Sequence, residues 1–267
     1  MTSPSFSVVP APAAKPNALV EYLLRLGDDR LVLGHRLSEW CGHGPIIEED
    51  IALSNVALDL LGQATILLHL AGEVEGQGRD EDALAYFRDA VDFRNCLLVE
   101  LPKGDFAYTM VRQFLFDVHA VVLLDALSRS TNADVAAIAA KSVKEAKYHV
   151  RHSGEWMLKL GDGTPESHRR TQTALDELWR FTAELFAGDA IDRELATSGI
   201  VPDLDALKPM WETLVRDVLD RATLTTPNDL PRPASMRGGR TGAHTEFLGH
   251  MLAEMQIVAR SHPGASW

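Results

Sequence analysis

The chain has 267 residues and carries 38 acidic against 26 basic side chains, for a net charge of -12. That balance excludes a nucleic-acid surface, because phosphate binding needs a basic stripe. With 46% hydrophobic and 24% charged residues the composition is that of a folded globular chain, long enough to bury a substantial core.

The first sixteen residues hold four prolines and lack a cationic start followed by an apolar core, so residues 1–16 read as a loose tail and not a signal peptide. Helical periodicity then recurs, and no segment alternates as a strand does. A short helix is expected from Pro16 to Leu26, ended by Gly27, and a second from Asp28 to about Cys41. Gly42 to Pro45 breaks the chain. Ile46 opens a long helix to about Ala71, with Glu48, Glu49 and Asp50 in the first turn, where the dipole favours acids.

After Gly76–Gly78 a helix is expected from Asp80 to Leu101, stopped at Pro102-Lys103-Gly104. Asp105 caps a helix to about Ser130, and Asn132 or Asp134 starts another that reaches Gly161. Thr164-Pro165-Glu166 restarts the chain as cap, first-turn proline and early acid, giving a helix to about Ala187. Helices near Asp203–Leu224 and Ala243–Ser261 follow, separated by a loop. Residues 17–267 thus read as one all-α domain, a four-helix bundle with accessory helices at both ends. Cys41 and Cys96 read as two buried thiols in a reducing compartment, no apolar run looks long enough to cross a bilayer, and a cytoplasmic location is expected.

The segment KSVKEAKYHVRHSGEW sets Lys141, Glu145, His149 and His152 on one helical stripe. Two-metal bundles take a Glu from each of two helices and a Glu-x-x-His pair from each of the other two. The four long helices here offer Glu39, Asp59, Asp117 and Glu145, each in an apolar surround. Three residues past Asp59 stands Gly62, and three past Glu145 stands Tyr148, so on this register both nitrogen ligands are missing. Acids clustered without metal must protonate or find cations; Lys141, Arg36 and Arg112 are the cations expected to serve. His149 or His152 could still complete a metal site on a rotated helix, and that alternative stays open.

Several features carry weaker signals. Asp92-Phe93-Arg94-Asn95 and Arg193-Glu194-Leu195 suit a partner or acyl-CoA contact, or else a solvated face with Phe93 in the core. The loop Pro231–Arg240 gathers three arginines able to meet phosphates or an acidic partner. His244, Glu246, His250 and Glu254 have the spacing of metal ligands, but ion pairs on an amphipathic helix explain them more simply. Trp40, Trp156 and Trp179 read as core or interface anchors.

The blocks LGDDRLVLGHRLSEWCGHGP, EEDIALSNVALDLLGQA, DFRNCLLVELPKGDFAYTMVRQFLFD, IAAKSVKEAKYHVRHSGEW, LDELWRFTAELF and HTEFLGHMLAEMQ, over about residues 19 to 267, resemble the PaaC-type subunit of phenylacetyl-CoA epoxidase. The resemblance implies a ferritin-like fold and a metal-free structural role, with no catalytic residue and no cofactor in this chain. It implies as partners a homologous catalytic subunit that carries the di-iron centre, a small bridging subunit, and a reductase holding FAD and an iron–sulfur cluster and fed by NADPH. Phenylacetyl-CoA would lie near the interface. Two other readings remain: a metal-binding ferritin-like oxidase or oxygenase active in its own right, and a free-standing helical scaffold.

Overall fold

The computed structural model describes residues 17–227 and 237–265. These form ten α-helices and, among the described residues, no strand: α1 (Ala18–Ser38), α2 (Ile47–Glu75), α3 (Glu81–Tyr86), α4 (Leu97–Glu100), α5 (Phe106–Leu127), α6 (Ala133–Gly161), α7 (Pro165–Leu178), α8 (Ala190–Thr197), α9 (Leu204–Arg221) and α10 (Glu246–Ser261). Helices α1 and α2 pack as one antiparallel pair and α5 and α6 as another, and the pairs meet in a ferritin-like bundle. The tail, residues 1–16, lies outside the described residues.

Caps set most of the boundaries. Asn17, Asp80, Asp105, Asn132, Asp189 and Asp203 each accept a hydrogen bond from a backbone N–H of the first turn that follows. Thr164 and Ser167 exchange both bonds of a capping box, with Pro165 at the first helical position. The long helix α2 ends at Gly76, whose φ of 68° is left-handed.

Two expectations about the N-terminal half fail for definite reasons. Gly27 does not end a helix, and α1 runs unbroken from Ala18 to Ser38. A Cβ at Gly27 would stand 2.8 Å from Leu68 Cδ2, so the glycine lets α1 and α2 approach closely. The helix expected from Asp80 to Leu101 is broken into α3, a 3-10 turn at Ala90–Asp92 and the single turn α4. Its middle is held extended because the N–H groups of Arg94 and Cys96 donate to the carboxylates of Asp28 and Asp29 at 2.8 and 2.7 Å. Helix α7 also stops earlier than expected and continues as 3-10 turns over Trp179–Phe186.

One apolar cluster runs through the bundle from Ala18 to Leu252. Trp40 is buried there, donating from Nε1 to Thr109 Oγ1 at 3.0 Å, with Phe106 between it and Trp156 in edge-to-face contacts. Trp179 packs against Trp211. Cys96 is buried as expected, but Cys41 is exposed in the turn after α1.

Helix α2 departs furthest from expectation. By length and composition it is apolar enough to cross a membrane, although less than half of its most apolar window is buried in the bundle. Asp59 and Gln63 interrupt the run and disguise it in the sequence. An amphipathic bundle helix has one apolar face; α2 has two.

Candidate functional site: the bundle centre

Where α1, α2, α5 and α6 face one another, the inward polar side chains are Arg30, Gln63, Gln113, Asp117, His149 and Ser153, all buried. They form two chains of hydrogen bonds. Arg30 Nε donates to Gln63 Oε1 at 2.8 Å, and Gln63 Nε2 donates to Glu145 Oε2 at 2.8 Å. Arg30 also donates to the carbonyl of Leu26 at 2.9 Å, and burial pulls its pKa below the usual guanidinium range. The amide of Gln63 therefore relays between a buried guanidinium and a carboxylate at the α2–α6 seam.

The second chain surrounds Asp117. Gln113 Nε2 donates to Asp117 Oδ1 at 2.6 Å. Ser153 Oγ lies 2.8 Å from Asp117 Oδ2 and 2.9 Å from the carbonyl oxygen of His149. A hydroxyl has one hydrogen to give. A protonated Asp117 donating to Ser153, with Ser153 donating to the carbonyl, satisfies all three groups. Burial pushes the Asp117 pKa up to about 8, and the bonds from Ser153 and Gln113 only partly oppose it. Geometry and burial both favour the neutral acid.

At the seam, Asp59 Oδ2 lies 3.0 Å from His149 Nε2, and Glu49 Oε2 lies 2.8 Å from His152 Nε2. Burial lowers the pKa of His149, against the opposing pull of Asp59. The Asp59 side chain remains 39% exposed.

This geometry does not gather the four acids read from the sequence. Glu39 caps the C-terminus of α1, nine residues and about 14 Å along the axis from Arg30. There it accepts from Arg36 Nη1 at 2.6 Å, and Lys103 Nζ donates to its carbonyl at 3.3 Å. Gly62 and Tyr148 are exposed, so neither occupies an inward ligand position. The buried pairs at three-residue spacing that lie one position on from the expected ones are Leu60 with Gln63 on α2, and Ala146 with His149 on α6. On α6 the inward pair keeps its imidazole and lacks the carboxylate, the reverse of the sequence reading. The signal was present: Ala139, Ser142, Ala146, His149, Ser153 and Met157 form a continuous buried stripe. Phasing on the acid instead of on that stripe shifts the register by one.

Of the expected cations, only Arg36 meets one of these acids, Glu39, and it does so away from the bundle centre. Lys141 is exposed. Arg36 donates to the carbonyls of Glu100 and Phe247, and Arg112 to those of Leu101 and Pro102. Arg30 is the cation of the centre; nothing in the run Asp28-Asp29-Arg30 marks it as inward in the sequence.

A dimetal centre does not fit these residues. A guanidinium and two amides project into the space that ligands would need, and among the described residues no three His, Cys, Asp or Glu side chains converge to hold a metal ion. No chemical step through such a centre is derived for this chain.

The weaker features resolve into packing. Phe93 and Asn95 are fully buried, Arg94 pairs with Glu21 at 2.9 Å, and Asp92 is exposed. Leu195 is core, while Arg193 and Glu194 are exposed. Residues 231–236 of the arginine-bearing loop lie outside the described residues. Arg240 at its end is committed to Asp29, at 2.9 and 2.7 Å. His244 donates toward Glu100 Oε2 at 2.7 Å and the Phe93 carbonyl at 3.0 Å, whereas Glu246, His250 and Glu254 are exposed on α10.

A protein of known role is similar to this chain over most of its length. The chain is 49% identical over 251 residues to the C component of the 1,2-phenylacetyl-CoA epoxidase of Escherichia coli (strain K12), covering 94% of this chain and 100% of that protein. The family model PaaA_PaaC, phenylacetic acid catabolic protein, matches residues 9–267. The chain belongs to that family.

Proposed function

We propose that this chain is the non-catalytic, ferritin-like subunit of a phenylacetyl-CoA epoxidase in the cytoplasm. Its work is to pair with and stabilise a homologous subunit that carries the di-iron centre and epoxidises the aromatic ring of phenylacetyl-CoA. A small bridging subunit and a reductase with FAD, an iron–sulfur cluster and NADPH complete the assembly. The observation that carries the reading is the filling of the bundle centre by Arg30, Gln63 and the hydrogen-bonded Asp117, on a chain similar throughout to a component of such an epoxidase. A rigid neighbour holds a redox centre's ligands in position, which is a role the bundle can serve without chemistry of its own.

The test is a ligand-deletion series in the assembled complex. Asp59→Asn, Glu145→Gln and His149→Gln in this chain should leave turnover per assembled complex within about twofold. A loss of about a hundredfold or more with assembly intact would assign the chemistry to this chain.

A further inference from the structure

The buried polar groups left without a protein partner are not scattered. Among the described residues, Tyr22 Oη and both ring nitrogens of His119 are buried and make no hydrogen bond. The two residues are each 3% exposed, and both line one cavity. It lies where α1 and α5 meet the 3-10 segment Trp179–Phe186 and α8, and its other polar walls are Arg25, Glu184, Asp192 and Arg240. A third orphan belongs to the same wall: Arg25 Nε has Glu21 Oε1 at 3.8 Å, beyond hydrogen-bond reach. A buried donor or acceptor left unpaired costs its full desolvation, so such a cluster calls for a ligand that the chain does not supply.

Neither orphaned ring can turn freely to find a protein partner. The His119 imidazole stands edge-on to Phe186, with ring centroids 5.3 Å apart, and tilted against Phe116 at 6.1 Å. The Leu185 carbonyl lies near enough to favour a proton on that ring, yet neither ring nitrogen makes a hydrogen bond with it. Tyr22 and His119 do not bond each other.

Charge and size define the ligand. The ions on the wall are already committed: Arg25 donates to Asp192 at 3.0 Å and to Asp189 at 2.6 Å. Arg240 is held by Asp29, and Glu184 accepts from the N–H groups of Leu97, Gly238 and Gly239. An entering anion would face Glu184 and Asp192, and a cation would face Arg25 and Arg240, so the wall selects a neutral molecule. Burial favours the uncharged imidazole, which with the phenol presents two donors and two acceptors. The ligand must therefore both give and accept hydrogen bonds. The cavity offers about 30 Å³ to the centres of water molecules, room for about two, since one needs roughly 10–15 Å³.

We propose that this cavity is a hydration site, in which two water molecules bonded to each other join Tyr22 Oη to the His119 ring and so tie α1 to α5 beneath α8. Such a pair keeps three hydrogens and three lone pairs free, enough for both side chains with one of each left for the rest of the wall. The proposal does not depend on the subunit role proposed above.

A crystal structure of the full chain, at a resolution that shows ordered water, is the direct test. Two peaks are expected in the cavity, within hydrogen-bond distance of each other, one reaching Tyr22 Oη and the other a nitrogen of His119. Fewer than two waters, a larger molecule, or a direct Tyr22–His119 bond that closes the cavity would overturn the proposal. Urea unfolding of Tyr22→Phe reads the same site in solution. If the hydroxyl is bonded to water, the variant's unfolding equilibrium constant rises about fivefold, the worth of one lost hydrogen bond. If the hydroxyl bonds nothing, its removal relieves a desolvation cost, and a variant as stable as wild type or more stable would overturn the proposal.

Discussion

Two buried polar networks flank α1, and they are built on opposite principles. On one side lies the bundle centre of Arg30, Gln63, Glu145, Gln113, Asp117 and Ser153. On the other, Asp28 and Asp29 tie the segment before α4 and the turn before α10 to the bundle. Arg88 pairs with Asp28, Arg240 with Asp29, and Glu184 accepts from the backbone N–H groups of Leu97, Gly238 and Gly239. His244 has an acceptor on each ring nitrogen; burial opposes its charge, but the bonds to Glu100 and Phe93 together raise its pKa. This second network is ionic and densely paired. The bundle centre surrounds its acid with uncharged partners and holds its cation through an amide. The region where a ferritin-like fold would place metal carries the less charged network, and the accessory segments carry the full ion pairs. The buried ion pairs here fasten loops.

The contrast can be broken most forcefully at Asp29. Asp29→Ala leaves Arg240 and the Cys96 N–H without their partner, and urea unfolding should show a loss of about 3–5 kcal/mol.

The neutral character of the centre is sharpened by Asp117→Asn, which keeps an acceptor for Gln113 and a donor for Ser153. The folded pKa of Asp117 is raised, so the folded chain binds the extra proton and stability falls as pH rises from about 4 to about 8. Asp117→Asn should remove that slope and gain roughly 2–4 kcal/mol at pH 8. A variant that kept the slope between pH 4 and pH 8 would mean that Asp117 is not its source.

A smaller effect is expected at the relay. Gln63→Leu strands Arg30 Nε and should cost about 1–3 kcal/mol, with no pH slope of its own. The smallest is Gly62→Ala on the outer face of α2. It should stabilise the isolated chain by about 0.5–1 kcal/mol, because nothing stands near the added methyl.

The bundle itself was legible, because capping residues and long apolar periods mark α2, α5, α6 and α7 in the sequence. Gly27 misled because a glycine between apolar runs signals a helix end as readily as a close helix crossing, and Leu68, 41 residues away, decides which. The break after α3 was hidden for the same reason, since Asp28 and Asp29 hold it from far along the chain. At the site, the residue types were readable but not their phase. A register error of one residue on α6 exchanges the exposed Tyr148 for the buried His149. Periodicity of the small residues fixes that phase better than the position of an acid, because small residues report packing whereas an acid at a helix seam can face either way.

The central claim is that the bundle centre of this chain is closed by its own side chains and holds no metal pair. Metal analysis of each chain, separated after coexpression in iron-replete medium, tests it most directly. The account predicts iron in the homologous subunit and no stoichiometric iron in this chain. About two irons per copy of this chain, lost on His149→Gln, would contradict it.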